Sequence, residues 1–343
     1  MRLLQAMAGA EVGGAEAFFV RLAIAFAKAD VDQRVIIRRD SVRARALRDG
    51  GVEPLELPFG GRMDFRTRPA LQREIDRYKP DIVLSWMSRA SWATPKSERP
   101  DGYKLIARLG GYYDLKYYRH CDYLIGNTEE IVEHIAEQGF DRDRIVYLPN
   151  FVHAPTRPAI SRIGFDTPLD APLLLAMGRL HENKAFDVLL RALAKLPDAW
   201  LWIAGEGPEA ASLSKLATEL GVSDRVRFLG WRDDSDALMQ ACDIFVCPSR
   251  QEPLGNIVLE AWAAGKPVVA AAAAGPASLI GDDAAGLLVP VDDPDELAAG
   301  IRALVADPAN AARLAVEGRR RFEESYTEQA VVAQYQSFFE RVI

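Results

Sequence analysis

The pattern that most restricts the fold is a regular alternation of apolar, strand-like runs with amphipathic helical segments. Runs such as Arg2–Met7, Tyr123–Gly126 and Leu173–Met177 are each followed by a loop and then by a helical segment. Strands that alternate with helices in this way are typical of parallel sheets covered by helices on both faces. The sequence therefore predicts an α/β protein with doubly wound parallel sheets.

A proline-rich stretch divides this pattern into two halves. Residues 151–172 contain few apolar side chains and several prolines, and the alternation restarts at Leu173–Met177. A chain of 343 residues also exceeds the usual size of one hydrophobic core. We therefore expect two Rossmann-like domains, at residues 1–155 and 170–324, that face a central cleft where ligands meet the carboxyl ends of the strands.

Composition and charge argue against several classes of protein. Charged residues interrupt the apolar N-terminal stretch, which argues against a signal peptide, and no apolar run approaches the roughly 18 residues of a spanning helix. The net charge of −7 argues against a nucleic-acid partner. The first 160 residues nevertheless carry a slight basic excess. This excess fits either an ordinary surface or a face turned toward an anionic acceptor or a membrane.

The segment from residue 248 to residue 271 reads PSRQEPLGNIVLEAWAAGKPVVAA and predicts a loop, a helix and a strand. Gly255 and Asn256 stand at the predicted helix start, where unpaired backbone N–H groups attract anions. Glu252 precedes this point, and Glu260 follows about one helical turn later. Taken alone, the segment fits equally well a βαβ unit with two incidental acids and an anion site between two carboxylates.

Other loops that follow predicted strands carry groups suited to a diphosphate. Arg179 and Lys184 come after the strand Leu173–Met177. The planar fork of an arginine and the point charge of a lysine both bind phosphate oxygens, although a salt-bridged loop is the alternative. Glycines occur in two further loops, at positions 9, 13 and 14 and at positions 205 and 207. They fit either a close approach of the backbone to a ligand or a tight structural turn.

Together these segments resemble the retaining glycosyltransferases of family 4 (glycosyl transferases group 1), which have the GT-B fold of two Rossmann-like domains. The resemblance covers nearly the whole chain. It rests on Gly13-Gly14, MGRLHENKAFDVLLRAL at 177–193, GEGPE at 205–209, FLGWRDD at 228–234 and the two acids Glu252 and Glu260. It implies that the first domain binds the acceptor and the second binds the nucleotide-sugar donor. It also implies that a final helix at about 325–343 packs back on the first domain.

The resemblance further implies a role for each matching position. Arg179 and Lys184 would neutralise the leaving diphosphate in place of a metal ion, and Glu252 would contact the donor sugar; these three are the predicted catalytic residues. Glu260 would accept hydrogen bonds from the ribose hydroxyls. The other predicted donor-binding residues lie in the same set of loops: Gly13, Gly14, Gly178, Gly205, Gly207, Trp231, Arg232, Pro253, Leu254, Gly255, Asn256 and Ile257.

The acceptor side is less clearly marked. Many members of the family carry a histidine near the reacting sugar in the first domain, and this chain has none in the corresponding loops, so we nominate no general base. Basic residues of the first half would meet an anionic acceptor, with a solvated basic face as the alternative: Arg62, Arg66, Arg68, Arg89 and Arg108. Tyr112 offers a surface on which sugars stack, although core packing explains it equally well. Asp234-Ser235-Asp236 reads as a helix cap, so we expect neither a metal ion nor a cofactor.

The sequence thus predicts a metal-independent hexosyltransferase that acts with retention. It would move a sugar from a nucleoside diphosphate sugar to a glycan or glycolipid acceptor of the bacterial envelope, such as the lipopolysaccharide core. We expect it in the cytoplasm, with a peripheral position at the inner face of the plasma membrane left open. Two alternatives remain: a nucleotide-sugar epimerase on the same fold, and a donor-binding subunit that has lost catalysis.

Overall fold

The computed structural model describes residues 1–10, 13–61, 64–97, 102–281 and 284–343. These residues form two compact units. Met1–Asn150 and Glu328–Ile343 make up unit 1, and Phe151–Thr327 makes up unit 2. Each unit contains a parallel sheet with helices, so the predicted α/β class is confirmed.

In its described part, unit 1 contains seven strands: β1 (Arg2–Met7), β2 (Asp32–Arg38), β3 (Pro54–Leu57), β4 (Ile82–Trp86), β5 (Lys104–Leu109), β6 (Tyr123–Gly126) and β7 (Ile145–Tyr147). They lie parallel in the order β3-β2-β1-β4-β5-β6-β7. The helices that connect them are α1 (Gly14–Lys28), α2 (Ser41–Asp49), α3 (Thr67–Tyr78), α4 (Met87–Ala93) and α5 (Glu129–Glu137). The central strands are buried almost throughout, which accounts for their nearly continuous apolar sequences.

Unit 2 contains, in its described part, the strands β8 (Leu173–Met177), β9 (Trp200–Ala204), β10 (Val226–Phe228), β11 (Ile244–Cys247), β12 (Val268–Ala271) and β13 (Leu287–Val289). They are parallel in the order β10-β9-β8-β11-β12-β13. Its helices are α6 (Phe186–Leu193), α7 (Ala210–Glu219), α8 (Ser235–Ala241), α9 (Asn256–Ala263), α10 (Ala274–Ile280), α11 (Pro294–Ala306) and α12 (Pro308–Ser325). Strands are added outward on one side of the sheet from β8 to β10 and on the other side from β11 to β13. The reversal point therefore lies between β8 and β11, and open α/β sheets bind their ligands at such a point.

The last helix, α13 (Glu328–Val342), belongs to unit 1 and packs on α1. The ring of Phe26 lies 5.7 Å from that of Tyr335 and 6.2 Å from that of Phe339, measured between centroids. The apolar stripe of this helix therefore completes a core that begins some 300 residues earlier in the chain.

Two helices differ from the sequence-based expectation. α4 begins at Met87, which has a φ of 67°, and α10 begins after Ala273; neither helix has a side-chain N-cap hydrogen bond. Each of these helices has only seven residues, which is too short to show a clear helical periodicity, so the sequence does not predict them. The Asp234 side chain makes no cap hydrogen bond to α8, contrary to the expected cap. Among the helices of the described residues, none is long and apolar enough to cross a bilayer.

Candidate active site

The loops that follow β8 and β11 meet at the reversal point of the unit 2 sheet and bring Lys184 to Glu252. The Lys184 Nζ donates to Glu252 Oε2 across 68 positions of sequence. The side chains are 26% and 11% exposed, respectively. Lys184 ends a short 3₁₀ turn, Glu182–Lys184, so a rigid element carries the ammonium group. Two residues predicted to be catalytic are therefore in direct contact.

Arg250 ties these two loops together, and sequence reasoning did not identify it. Its guanidinium donates to both carboxylate oxygens of Asp187 at 2.9 Å and to the backbone oxygen of Glu182 at 2.7 Å. Its backbone N–H donates to the Asn183 oxygen at 2.9 Å. Partial burial of Asp187 opposes ionisation, but hydrogen bonds from Arg250 and Arg191 outweigh this effect and hold the pKa of Asp187 below its ordinary value. Arg250 thus holds the Glu252 loop against the Lys184 turn.

Two glycines allow the loops of this site to approach closely. Gly205 has a φ of 145°, and a Cβ placed on it would lie 1.9 Å from the Gly178 oxygen. Gly275, in the first turn of α10, donates its N–H to the backbone oxygen of Glu252 at 2.8 Å. A Cβ on Gly275 would lie 2.5 Å from both the backbone oxygen of Glu252 and the backbone nitrogen of Gly255. Side chains at positions 205 and 275 would push these loops apart.

Beside these loops lies a pocket with a volume of about 520 Å³, formed within unit 2. It collects seven of the predicted site residues: Gly178, Arg179, Gly205, Trp231, Arg232, Ile257 and Glu260. Met177, Ala204, Glu206 and Ser235 complete its lining. A volume of this size accommodates a nucleotide-sized ligand.

The other predicted residues of unit 2 lie outside this lining. Pro253, Leu254, Gly255 and Asn256 continue the Glu252 loop into the start of α9, and Gly255 has a φ of 65°. Gly207 lies in the loop after β9, where a Cβ would meet the Leu180 oxygen at 2.3 Å. The structure therefore brings the loop residues together around the pocket and the Lys184–Glu252 pair.

The charged and aromatic groups of the pocket differ in how far they are already engaged. Arg179 is exposed, and no ion pair or hydrogen bond of its side chain occurs with any residue that the structure describes. Arg232 by contrast donates to both Asp234 oxygens, from Nε at 2.8 Å and Nη2 at 2.6 Å. Trp231 is 70% exposed. Arg179 and Trp231 are thus available to a ligand, whereas the Arg232 guanidinium already has an anionic partner.

The predicted residues of unit 1 separate into two groups. Arg89 and Tyr112 are exposed, and the Tyr112 ring stands edge-on to that of His134 with centroids 5.1 Å apart. Arg108 is 1% exposed, contrary to its expected role toward an acceptor. Its Nε donates to Tyr335 Oη at 2.8 Å and its Nη2 to Asn150 Oδ1 at 2.5 Å. Arg108 lies near the end of β5, which is buried, and its guanidinium is bound by residues of unit 1. It therefore supports the packing of unit 1 and is not available to an acceptor.

Two of the glycines before α1, Gly9 and Gly13, lie against the buried side chain of Glu16, an acid whose burial the sequence did not reveal. Glu16 is 6% exposed and accepts a hydrogen bond from the Ala10 N–H at 2.7 Å. A Cβ on Gly9 or Gly13 would lie 2.2 Å from its carboxylate oxygens, and Gly14 has open space around it. Gly9 and Gly13 therefore leave the space that the Glu16 side chain occupies. Arg62, another predicted acceptor contact, lies outside the described residues.

Comparisons with known proteins agree with this architecture. The family model described as "Glycosyl transferases group 1" matches residues 161–321, and that described as "Glycosyltransferase Family 4" matches residues 12–154. The lipopolysaccharide core biosynthesis glycosyltransferase LpsE of Rhizobium meliloti (strain 1021) is 38% identical over 330 residues, which cover 94% of each chain. LpsD of the same strain, a protein with the same description, is 34% identical over 99% of this chain and 98% of its own length.

Solved structures share the fold. The Anabaena protein HepE in complex with UDP superposes with a TM-score of 0.84 at 21% identity, covering 99% of this chain and 100% of that one. At this level of identity, the superposition shows a shared fold and nothing more. With two family models that span both units and relatives of more than 30% identity over nearly the whole length, the chain belongs to the glycosyltransferases of family 4, with the GT-B fold.

Proposed function

We propose that this glycosyltransferase takes its sugar from a nucleoside diphosphate sugar and transfers it with retention of configuration. The observation that carries the proposal is the contact between Lys184 and Glu252 beside a pocket that Arg179 and Glu260 line. Arg179 lines the pocket, and a Cβ placed on Gly178, another lining residue, would lie 3.4 Å from Lys184 Cε. Two cations so close together in one loop suit a diphosphate, and Arg179 has no other partner among the described residues. The HepE complexes with UDP and with UDP-glucose support a donor of this chemical class.

In the proposed reaction, the acceptor hydroxyl oxygen forms a bond to the anomeric carbon on the face that the leaving group vacates. The bond between that carbon and the distal phosphate oxygen breaks, and the hydroxyl proton passes to the departing phosphate. Arg179 and Lys184 stabilise the negative charge that develops on the diphosphate, which is the part a metal ion takes in other transferases. No metal ion is therefore required by the proposal.

Each carboxylate has a separate part in this proposal. Lys184 neutralises Glu252 before the donor arrives. When the diphosphate of the donor binds the Lys184 ammonium group, Glu252 loses this partner and accepts hydrogen bonds from the hydroxyls of the transferred hexose. Glu260, at the pocket wall, accepts hydrogen bonds from the ribose, and the N–H groups at the start of α9 face the distal phosphate.

We further propose an acceptor in the lipopolysaccharide core, because both LpsE and LpsD carry that description. A glycolipid acceptor of this kind places the enzyme in the cytoplasm at the inner face of the membrane, in peripheral contact with it. Unit 1 would bind the acceptor, as the resemblance implies.

Release of nucleoside diphosphate tests the proposal. The protein is incubated with UDP-, GDP- and ADP-sugars, with and without lipopolysaccharide core acceptors, and the anomeric configuration of the product is read by NMR. We expect release that depends on one of these donors and a product that keeps the donor's configuration. Inverted product would exclude retention. Conversion of the nucleotide sugar to its epimer would support the epimerase alternative, and binding without release would support an inactive donor-binding subunit.

A further inference from the structure

Unit 1 contains a second pocket, of about 520 Å³, that the proposed donor chemistry does not use. It lies between residues 59–61 and 64–72 on one side and the helix α4 on the other. Its walls combine aromatic rings with cationic and amide side chains: Phe59, Phe65, Arg68, Gln72, Arg89 and Trp92. These residues come from two stretches of the chain that are separate in sequence, so the combination exists only in the folded unit.

Two of the three aromatic rings of this pocket are exposed. Phe65 is 83% exposed and Trp92 is 45% exposed, whereas Phe59 is 1% exposed. A large apolar side chain that stays in water costs free energy, so two exposed rings that line one concave site indicate a ligand surface. Rings of this kind bind the apolar faces of flat or cyclic ligands.

The two arginines of the pocket have no anionic partner among the residues that the structure describes. Arg68 and Arg89 are exposed, and neither side chain is engaged in an ion pair or hydrogen bond with a residue in the described ranges. One carboxylate, that of Asp64, also lines the pocket. It accepts hydrogen bonds from the N–H groups of Gly60 at 2.7 Å, Arg66 at 2.9 Å and Thr67 at 3.0 Å, and from the Thr67 hydroxyl.

Asp64 therefore stabilises the backbone of the residues next to it in sequence. The Thr67 hydroxyl, followed by the backbone N–H groups, holds the pKa of its carboxyl well below the usual range. The four hydrogen bonds that its oxygens accept come from residues 60–67, and among the described residues neither Arg68 nor Arg89 donates to it. The two guanidinium groups are left as forks for an external carboxylate or phosphate.

We propose that this pocket binds an anionic sugar, one that carries a carboxylate or a phosphate, of the acceptor glycan. A sugar presents apolar C–H faces and polar edges within one ring, which matches rings and guanidinium groups placed side by side around a single cavity. An acyl chain would instead set methylene groups against unpaired guanidinium groups and desolvate them without compensation. The inference rests on the proposed glycosyl transfer and names the chemical class of the acceptor.

Binding of charged and neutral monosaccharides tests this inference directly. The intact ¹⁵N-labelled protein is titrated with glucose, glucuronate, glucose 6-phosphate and inorganic phosphate. The indole N–H resonance of Trp92, assigned with the variant Trp92→Phe, is followed. We expect the two acidic sugars to shift this resonance with affinities about tenfold or more above that of glucose, because a guanidinium–anion hydrogen bond adds that much. Inorganic phosphate alone should bind more weakly than glucose 6-phosphate, because it lacks the ring that stacks.

Paired variants identify the charges responsible. The double variant Arg68→Gln/Arg89→Gln should reduce the affinity for glucuronate to that for glucose. Arg77→Gln, which removes an exposed arginine from the same helix α3 outside the pocket, should leave it unchanged. Equal affinities for glucose and glucuronate, an unmoved Trp92 resonance or an equal loss in Arg77→Gln would overturn the inference. So would phosphate that binds as tightly as glucose 6-phosphate, which would indicate a simple anion site.

Two further measurements distinguish this inference from a lipid-binding site and from the proposed function. Vesicles of phosphatidylglycerol, compared with phosphatidylcholine vesicles, test a lipid headgroup as the ligand. If the double variant abolishes vesicle binding and glucuronate gives no response, the ligand is a lipid headgroup and the inference is wrong. Nucleoside diphosphate release by the wild-type protein is measured in parallel. Release without a response of Trp92 to acidic sugars would overturn this inference alone, whereas a response without release from any donor would overturn the proposed function alone.

Discussion

The Lys184 ammonium contacts the Glu252 carboxylate across the reversal point of the unit 2 sheet. Both residues follow strands that are direct neighbours, β8 and β11, so the contact depends on the sheet order. Each partner neutralises a charge that would otherwise be partly buried. Under the proposed function, the cation and the anion of this pair exchange partners when a diphosphate sugar binds.

Removal of the ammonium group should abolish transfer. In Lys184→Ala, the diphosphate loses one of two cations and Glu252, 11% exposed, loses its partner. We expect kcat to fall about a hundredfold or more, with weaker binding of the nucleoside diphosphate, measured by product release and calorimetry. Lys215→Ala serves as the control, because Lys215 is 79% exposed and pairs only locally with Glu219. Turnover that survives in Lys184→Ala would contradict the assigned role.

The two acids should separate in steady-state kinetics. Glu260→Ala should raise the donor KM more than it lowers kcat, because ribose contacts are the same in the ground state and in the transition state. Glu252→Gln should lower kcat more than it raises KM, because its contacts are to the reacting sugar. Both parameters are measured with the nucleotide sugar as the varied substrate. The opposite pattern in either variant would exchange the two assignments.

The Asp187–Arg250 pair should make stability depend on pH in acid. The pKa of Asp187 is lowered in the folded protein, so its contribution to stability is full above its unfolded pKa of about 4 and is lost as the pH falls through the lower folded value. Asp187→Asn should therefore lower the free energy of unfolding by about 1 kcal/mol at pH 7. The difference from wild type should shrink below pH 4.

Chemical denaturation at several pH values measures this difference. Because Arg250 also holds the Glu252 loop, the same variant should lower kcat at pH 7. An equally large stability difference at pH 3 and pH 7 would show that the carboxylate charge is not the cause.

A methyl group at position 275 should displace the Glu252 loop. The added Cβ of Gly275→Ala would lie 2.5 Å from the Glu252 oxygen and the Gly255 nitrogen, so the backbone must move. We expect a loss of about 1–3 kcal/mol in unfolding free energy and a lower kcat, from denaturation and kinetic assays. Gly164→Ala is the control in the same unit, since its Cβ would meet nothing within 4 Å. Equal effects of the two variants would tell against a specific role for Gly275.

Local signals predicted most of the elements because each has its own cause. Thr128, a residue type favoured at helix N-caps, precedes α5, and its hydroxyl accepts from the Ile131 N–H at 3.2 Å. β1, β6 and β8 occupy the predicted residues because buried parallel strands are continuous apolar runs. α4 and α10 escaped prediction because each has only seven residues, too few to show a clear helical periodicity.

The sequence by itself determined the α/β class, the loops that carry charge and the residue types suited to a diphosphate, since periodicity and loop chemistry are local properties. Only the tertiary structure decided which charges meet. Lys184 reaches Glu252, and Arg250 reaches Asp187, because β8 and β11 are neighbours. Arg108 resembles a surface cation in sequence, yet it is buried against Tyr335. The partner of a charged side chain depends on the order of the strands, and that order is a property of the whole folded unit.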